Sequence, residues 1–166
     1  MIALKRILVA TDFSEPSGAA LGYGRELARC FDAQLVVLHV VEDTRTGAIA
    51  ANGFTLADRG LQKTVEEAGH RQVQALVGGD RMRLRAEAVV ITSNSPAAAI
   101  VEYATRAEAD LIVIGTHGRG VMAHPVMGSV AGRVVRMAPC PVLTVRHPER
   151  EFVLPDALAA VMVARR

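Results

Sequence analysis

Tryptophan is absent from the sequence and aromatic residues are scarce, at 4% of 166 residues, although 51% of the residues are hydrophobic. The core must therefore be built from Val, Ile, Leu and Ala, which suits a parallel sheet buried on both faces. Cysteine is also rare. Cys30 and Cys140 lack the CxxC spacing of a zinc site or a redox pair, so we interpret them as two small buried thiols in a reducing compartment.

The sequence also lacks a long apolar run and a strong charge imbalance. The start, MIALKRILVATDFSE, has an apolar stretch too short for a signal peptide, and no run reaches the roughly 18 apolar residues of a membrane span. The net charge of +2 is too small to indicate nucleic acid, but it is compatible with an anionic small ligand. We expect one cytoplasmic domain with neither membrane nor nucleic acid as partner.

Short apolar runs alternate with helical patterns along most of the chain. Two helices are predicted to begin after the caps Ser14 and Ser95, with Pro16 and Pro96 in their first turns, and to end near residues 29 and 109. The other predicted helices span residues 56–77 and 129–137. Strands are predicted at residues 5–10, 34–41, 81–90, 110–115 and 142–145. This order indicates an α/β fold with a parallel sheet and helices on both faces.

The third strand is predicted from a different pattern. The run RMRLRAEAVV, which begins at Arg81, alternates charged and apolar residues, as a strand with one solvated face does. We expect this strand at an edge of the sheet, where its charges discourage pairing with another chain. The row of Arg81, Arg83 and Arg85 is interpreted as the solvated face.

A glycine-rich loop follows the fourth strand. In open α/β sheets, ligands bind beyond the carboxyl ends of the strands, where the strand order reverses. Gly115 ends the strand, Gly118 follows, and Gly128 and Ser129 begin a helix whose free N–H groups suit an anion. Arg119 adds a positive charge nearby. A purely structural turn is the alternative interpretation of Gly115 and Gly118.

The spacing of these glycines, GTHG followed after nine residues by GS, resembles the nucleotide-binding signature of the ATP-binding universal stress proteins. VATDFSE, LVVLHVVE, SPAAAIVEYA, ADLIVIGTHGRG and GSVAGRVVRMAPCPVLTVR resemble further segments of that family, so that the resemblance covers residues 2–147. It implies a doubly wound, Rossmann-like sheet of five strands in the order 3-2-1-4-5. That order agrees with an edge position for the alternating third strand.

The resemblance also implies a site for ATP, with AMP or ADP as alternatives and Mg²⁺ carried with the phosphates. Asp12 would contact the ribose or adenine, and a turn or capping aspartate is its alternative interpretation. Ala10 and Thr11 would line the base region through their backbone. Val40, or alternatively Val41, would pack on the adenine.

The remaining implied contacts lie after the fourth strand. Ile114 and Gly115 would flank the sugar. The phosphates would be held, mostly by backbone N–H groups, at Gly118, Gly128, Ser129 and Val130, with Arg119 as an added charge. The sequence departs from the family pattern at Pro125, inside the nine-residue stretch, and at Gly132, early in the last helix.

The histidines do not suggest a metal site. His39 lies in an apolar strand and is interpreted as a core histidine with satisfied hydrogen bonds. His117, in the glycine-rich loop, either reaches a phosphate or faces solvent. His70, His124 and His147 lack the spacing of metal ligands.

Three functions are compatible with these features. The first is an adenine-nucleotide-binding homodimer in stress response or signalling. The second is a slow ATPase or adenine-nucleotide hydrolase, for which Asp12 and His117 are the only nearby candidates to activate water; a GxxxxGK[ST] P-loop is absent from the sequence. The third is a structural dimer that binds no nucleotide.

Two expectations concern the end of the chain. The resemblance implies dimerisation through the last strand, here between Pro141 and Val145. Residues 148–166 extend beyond the family domain and are predicted to form a short helix through ALAAVMVA, with Asp156 as its cap. Because this apolar run is awkward on an open surface, we expect the extension to pack on its own domain or across a dimer.

Overall fold

A computed structural model describes residues 2–44, 59–116 and 128–146 of the chain. No helix within these ranges has both the length and the apolar character needed to cross a membrane. The elements follow one another as β1 (Arg6–Thr11), α1 (Glu15–Phe31), β2 (Gln34–Val41), α2 (Arg59–Val77), β3 (Glu87–Thr92), α3 (Pro96–Arg106), β4 (Leu111–Gly115), α4 (Ser129–Met137) and β5 (Val142–Val145).

The strands form one parallel sheet in the order β3-β2-β1-β4-β5. Val9 of β1 lies opposite Val37 of β2 on one side and opposite Val113 of β4 on the other. The chain moves outward through β2 and β3 and then returns to the far side of β1 to add β4 and β5. The predicted α/β class and the order 3-2-1-4-5 are therefore confirmed.

Alternating side chains of each strand bury two separate apolar clusters, one on each face of the sheet. Ile7 and Val9 of β1 pack on the face covered by α1 and α2. Leu8 and Ala10 pack on the face covered by α3 and α4. Because both faces are covered, the central strands are almost wholly apolar, as expected for a parallel sheet.

The two predicted helix caps behave differently. Ser14 caps α1, since its Oγ accepts a hydrogen bond from the Ser17 N–H at 3.5 Å. Ser95 precedes α3, and Pro96 is the first residue of that helix as predicted, but the Ser95 side chain makes no capping hydrogen bond. The prediction of a side-chain cap is thus wrong for Ser95.

The predicted strand at residues 81–90 is wrong in its bounds, because β3 runs from residue 87 to 92. Turns occupy residues 78–83 instead. The Leu84 N–H donates to the Asp80 carbonyl at 2.8 Å, and Arg85 has a φ of 49°, which no strand residue adopts. Met82 is 96% exposed whereas Leu84 is buried. Only the edge position of β3 is confirmed.

A tertiary contact accompanies this turn. The Arg25 Nε of α1 donates to Asp80 Oδ2 at 2.6 Å, and Arg25 Nη2 donates to the carbonyl of Leu76 near the end of α2 at 2.6 Å. Asp80 is buried. One arginine of α1 therefore ties down both the end of α2 and the turn that follows it, a constraint that local sequence patterns do not carry.

The prediction of two buried thiols is wrong for Cys30, which is exposed on α1, whereas Cys140 is half-buried before β5. Burial raises the pKa of the Cys140 thiol, and the negative charge of Asp110 raises it further. A hydrogen bond with the backbone of Ile112 acts in the opposite direction but is the smallest of these causes.

Candidate functional site

The carboxyl ends of β1 and β4 lie side by side at the point where the strand order reverses. Ala10 of β1 is directly opposite Ile114 of β4. The chain leaves β1 to enter α1 on one face of the sheet, and α4 lies on the other face. Such a reversal point is where open α/β sheets hold their ligands, so the residues around it form the candidate site.

The turn after β1 is held by its own polar side chains. Asp12 Oδ1 accepts a hydrogen bond from the Ser14 N–H at 3.1 Å and another from the Ser14 hydroxyl. The Phe13 N–H donates to Thr11 Oγ1 at 3.1 Å. Asp12 thus has the contacts of a turn aspartate, which was the alternative interpretation.

A buried hydroxyl pair lies beneath this turn. Thr11 Oγ1 and Ser17 Oγ are 3.1 Å apart, and the Ser17 hydroxyl donates to the Ser14 carbonyl at 2.9 Å. Both side chains are buried, with Thr11 7% and Ser17 4% exposed. Because buried hydroxyls are costly without partners, this pair fixes the start of α1 against the end of β1.

Gly115 is required by packing at the end of β4. A Cβ atom at this position would lie 2.9 Å from both the carbonyl carbon and the oxygen of Pro16, in the first turn of α1. Backbone atoms cannot yield as a flexible side chain can. The structural interpretation of Gly115 is therefore supported, and it holds whether or not a ligand binds there.

The start of α4 is tied to the end of β4. The Gly128 N–H donates to the Thr116 carbonyl at 2.7 Å, and the Thr116 N–H donates to the Val145 carbonyl of β5 at 2.8 Å. Gly128 is the residue before α4 and has no side chain with which to cap it, and Ser129, the first helical residue, is exposed. The first-turn N–H groups and the helix dipole therefore give this end a partial positive charge.

An apolar surface lies on the same face of the sheet as α4. Ala10 and Ile114 are buried there in one cluster, and Val40 of β2 and Val130 of α4 pack against that cluster. Val41 points to the opposite face, where its Cγ2 would be 3.1 Å from a Cβ at Gly69 of α2. Of the two valines considered for contact with the base, the structure places Val40 on the side of α4.

Most of the predicted site residues lie at this one edge of the sheet. Gly118 and Arg119 are outside the described residues, as are His117 and Pro125. Within the described ranges, no group of three or more His, Cys, Asp or Glu side chains could hold a metal ion. The residues that the structure brings together are Ala10, Thr11, Asp12, Val40, Ile114, Gly115, Gly128, Ser129 and Val130.

The sequence interpretation missed a neighbour of this turn. His39 of β2 lies opposite Thr11 in the sheet, and its Nδ1 is 2.8 Å from the Thr11 carbonyl oxygen. Its ring lies 4.4 Å from the ring of Phe13, centroid to centroid. The prediction that His39 has a hydrogen-bond partner is confirmed. The position of His39 near the end of β2 could have indicated this, because parallel pairing of β1 and β2 places the ends of both strands side by side.

Comparisons with known sequences agree on one family. Residues 3–146 match the model of the universal stress protein family. A universal stress protein of Methanocaldococcus jannaschii is 32% identical over 147 residues, which cover 89% of this chain and 85% of the relative. One from Thermus aquaticus is 33% identical over 144 residues, covering 86% of this chain and 98% of the relative.

Solved structures are similar in fold. The universal stress protein UspA from Lactobacillus plantarum superposes with a TM-score of 0.71 at 25% identity, covering 88% of this chain and 100% of the other. Two more distant structures, each 22% identical over 87% of this chain, are a universal stress protein in complex with cAMP, with a TM-score of 0.58, and one from Archaeoglobus fulgidus in complex with dAMP, with a TM-score of 0.52.

Proposed function

The chain belongs to the universal stress protein family, and we propose that it binds an adenine nucleotide where the carboxyl ends of β1 and β4 meet the start of α4. One observation carries this proposal. Val130, in the first turn of α4, packs against the same apolar cluster as Ala10 and Ile114. A surface suited to a base and a helix start suited to phosphates are thereby side by side.

Each part of the ligand has a chemical counterpart. The half-buried Val40 and its apolar neighbours suit a purine ring, which is flat and largely apolar. The N–H groups of Ser129 and Val130 suit phosphate oxygens, because they lie at the positive end of the helix dipole. Asp12, the residue after β1, suits the hydroxyl donors of a ribose. The cAMP and dAMP complexes of fold relatives support the same ligand class.

ATP is the nucleotide that we propose, with AMP and ADP as ligands that share most of its contacts. Mg²⁺ would be carried with the phosphates. On this proposal the protein is a cytoplasmic homodimer that acts in stress response or signalling through nucleotide occupancy. Holding a nucleotide requires only the residues above, whereas hydrolysis would also require a base that activates water.

Nucleotide titration of the purified chain tests the proposal. Calorimetry with ATP, ADP and AMP in the presence of Mg²⁺ should give saturable binding. At about 100 times its dissociation constant, the ligand should stabilise the fold by roughly 2.7 kcal/mol, or about 5–10 °C in melting temperature for a domain of this size. An unmoved melting curve, with no nucleotide released from the fresh protein in a mass spectrum, would refute binding. Phosphate release in the same samples separates holding from hydrolysis.

A charge placed at Ser129 locates the phosphates. Ser129→Glu should not destabilise the fold, because a carboxylate at a helix start interacts favourably with the dipole. It should weaken binding of ATP by roughly tenfold or more, about 1.4 kcal/mol or above, because it repels the phosphates. Ser129→Ala is the matched control, which removes only the hydroxyl. Equal ATP affinities for the two variants would place the phosphates elsewhere.

A further inference from the structure

We propose that His39 is a positioning residue for the nucleotide site, because it contacts both sequence neighbours of Asp12 and so holds the turn that presents this carboxylate. The inference rests on the proposed function, in which Asp12 faces the ribose or base. It assigns His39 a positioning role, which its location inside an apolar strand does not by itself indicate.

The first contact is a hydrogen bond to the residue before Asp12. His39 Nδ1 lies 2.8 Å from the carbonyl oxygen of Thr11. A carbonyl oxygen can only accept, so Nδ1 carries the proton and donates it. Thr11 ends β1, and the imidazole therefore fixes the last peptide group before the turn.

The second contact is with the residue after Asp12. The rings of His39 and Phe13 have centroids 4.4 Å apart and planes inclined by 47°, within the range of favourable aromatic pairs. Phe13 itself has a φ of 64°. A bulky residue adopts this left-handed conformation only where its surroundings compel it, and the ring of His39 is one of those surroundings.

The imidazole is itself confined from a third side. A Cβ atom at Gly69 of α2 would lie 3.3 Å from His39 Cδ2, so α2 passes close to the edge of the ring. His39 is half-buried between this helix and the turn. A side chain held by its strand, by a hydrogen bond and by a helix has little freedom, and it can transmit that order to Thr11 and Phe13.

The consequence is preorganisation of the site. With the contacts of His39 to Thr11 and Phe13 in place, Asp12 has one geometry before the nucleotide binds. Without them, the ligand must order the turn, and this cost appears as weaker binding. Ordering a few side chains or a short turn corresponds to roughly a tenfold rise in the dissociation constant.

Four variants, one of them a control, test the contacts of His39 with the turn. His39→Leu removes both the hydrogen bond and the aromatic contact. His39→Asn keeps an N–H donor near the Thr11 carbonyl but removes the ring. Phe13→Leu removes the aromatic contact alone. Val37→Ala is the control, because Val37 is fully buried on the same face of β2, and its truncation destabilises the core without touching the turn.

Calorimetric dissociation constants and melting temperatures are measured for all of them. His39→Leu should bind ATP roughly tenfold more weakly than the natural chain, His39→Asn and Phe13→Leu should lie between the two, and Val37→Ala should melt earlier at unchanged affinity. If His39→Leu and Val37→Ala bind ATP equally well, the positioning role is overturned. A natural chain that binds no nucleotide instead refutes the proposed function, and the inference falls with it.

A spectroscopic measurement tests the geometry without any nucleotide. The ¹⁵N spectrum of the imidazole should show the proton of neutral His39 on Nδ1, and Phe13→Leu should shift the His39 ring resonances through loss of the ring current. A neutral ring protonated on Nε2 would contradict the hydrogen bond to Thr11 and overturn the inference even if ATP binds.

Discussion

Gly115 and Pro16 lie in backbone contact: a Cβ atom on Gly115 would be 2.9 Å from the carbonyl carbon and oxygen of Pro16. The end of β4 therefore sets how closely α1 can approach the sheet. Since α1 begins directly after the turn that contains Asp12, any change at Gly115 also changes the position of that turn. Packing and the proposed binding site share this residue.

Gly115→Ala should lower the free energy of unfolding by about 1–3 kcal/mol, as overpacking of a tight contact does. Gly22→Ala is the control, because Gly22 lies within α1 with no heavy atom within 4 Å of its added Cβ and should stabilise the helix by about 0.5–1 kcal/mol. Urea titrations measure both. Equal stabilities for the two variants would contradict the close contact with Pro16.

Gly128→Val should abolish nucleotide binding while leaving the chain folded. Gly128 has a φ of −53° and a ψ of 152°, which a valine can adopt, so the fold tolerates the side chain. The isopropyl group would occupy the approach of a phosphate to the N–H groups of α4. Gly132→Ala, one turn along the same helix, should bind normally. Calorimetry with ATP compares them, and retained affinity in Gly128→Val would place the phosphates away from this helix.

Cys140 should react with alkylating reagents more slowly than Cys30 at pH 8. Burial, and then the charge of Asp110, raise the pKa of Cys140 above its ordinary 9.0, and only the thiolate attacks. Cys30 is exposed. The rates are read from single-cysteine variants, Cys30→Ser and Cys140→Ser. A faster rate at Cys140 would contradict the raised pKa.

The same raised pKa makes stability depend on alkaline pH. Above the ordinary value of 9.0 the thiol of the unfolded chain loses its proton before the thiol of the folded chain does. The contribution is therefore fully present below pH 9 and is lost as pH rises through the raised value. Denaturant titrations from pH 7 to 10 should show a shallower decline in Cys140→Ser than in the natural chain.

The proposed homodimer is tested at the edge of β5. The N–H groups of Ile112 in β4 and of Thr116, the residue after β4, donate to the carbonyls of Pro141 and Val145. Alternation therefore directs the backbone groups of Thr144 away from β4. Thr144→Pro should abolish self-association at little cost to the fold. Leu143→Pro, which removes a donor on the β4 side, should destabilise the fold itself. Sedimentation velocity and thermal unfolding separate the two, and a Thr144→Pro variant that still dimerises would exclude this edge.

Residues 148–166 lie outside both the described residues and the family match, which ends at residue 146. We propose that they pack on their own domain or across the dimer. Truncation at Pro148 should then lower the melting temperature or change the sedimentation coefficient, because it removes an apolar segment from its contacts. A truncated chain identical in both measurements would refute this packing.

The periodicity of apolar residues and the helix-capping residues predicted most of the helices and strands. The bounds of β2, α4 and β5 were predicted as observed, because apolar runs that end at proline or acidic residues mark buried elements clearly. The predicted bounds of β3 were wrong because alternating arginines also occur in a turn. The ion pair between Arg25 and Asp80 holds that turn, and it joins two residues that lie far apart in sequence, so that no local pattern indicates it. Gly115 was predicted as a residue of the candidate site, whereas its close approach to Pro16 was not predicted.

The sequence by itself determined the fold class and the family, because strand–helix alternation and glycine spacing are properties of local order along the chain. It also indicated the edge of the sheet where we propose that a nucleotide binds. Only the tertiary structure decided that Val40 rather than Val41 lies on the side of α4, that Gly115 is required by Pro16, and that His39 contacts both neighbours of Asp12. These facts depend on which side chains meet across strands and helices, and that is set by register and packing.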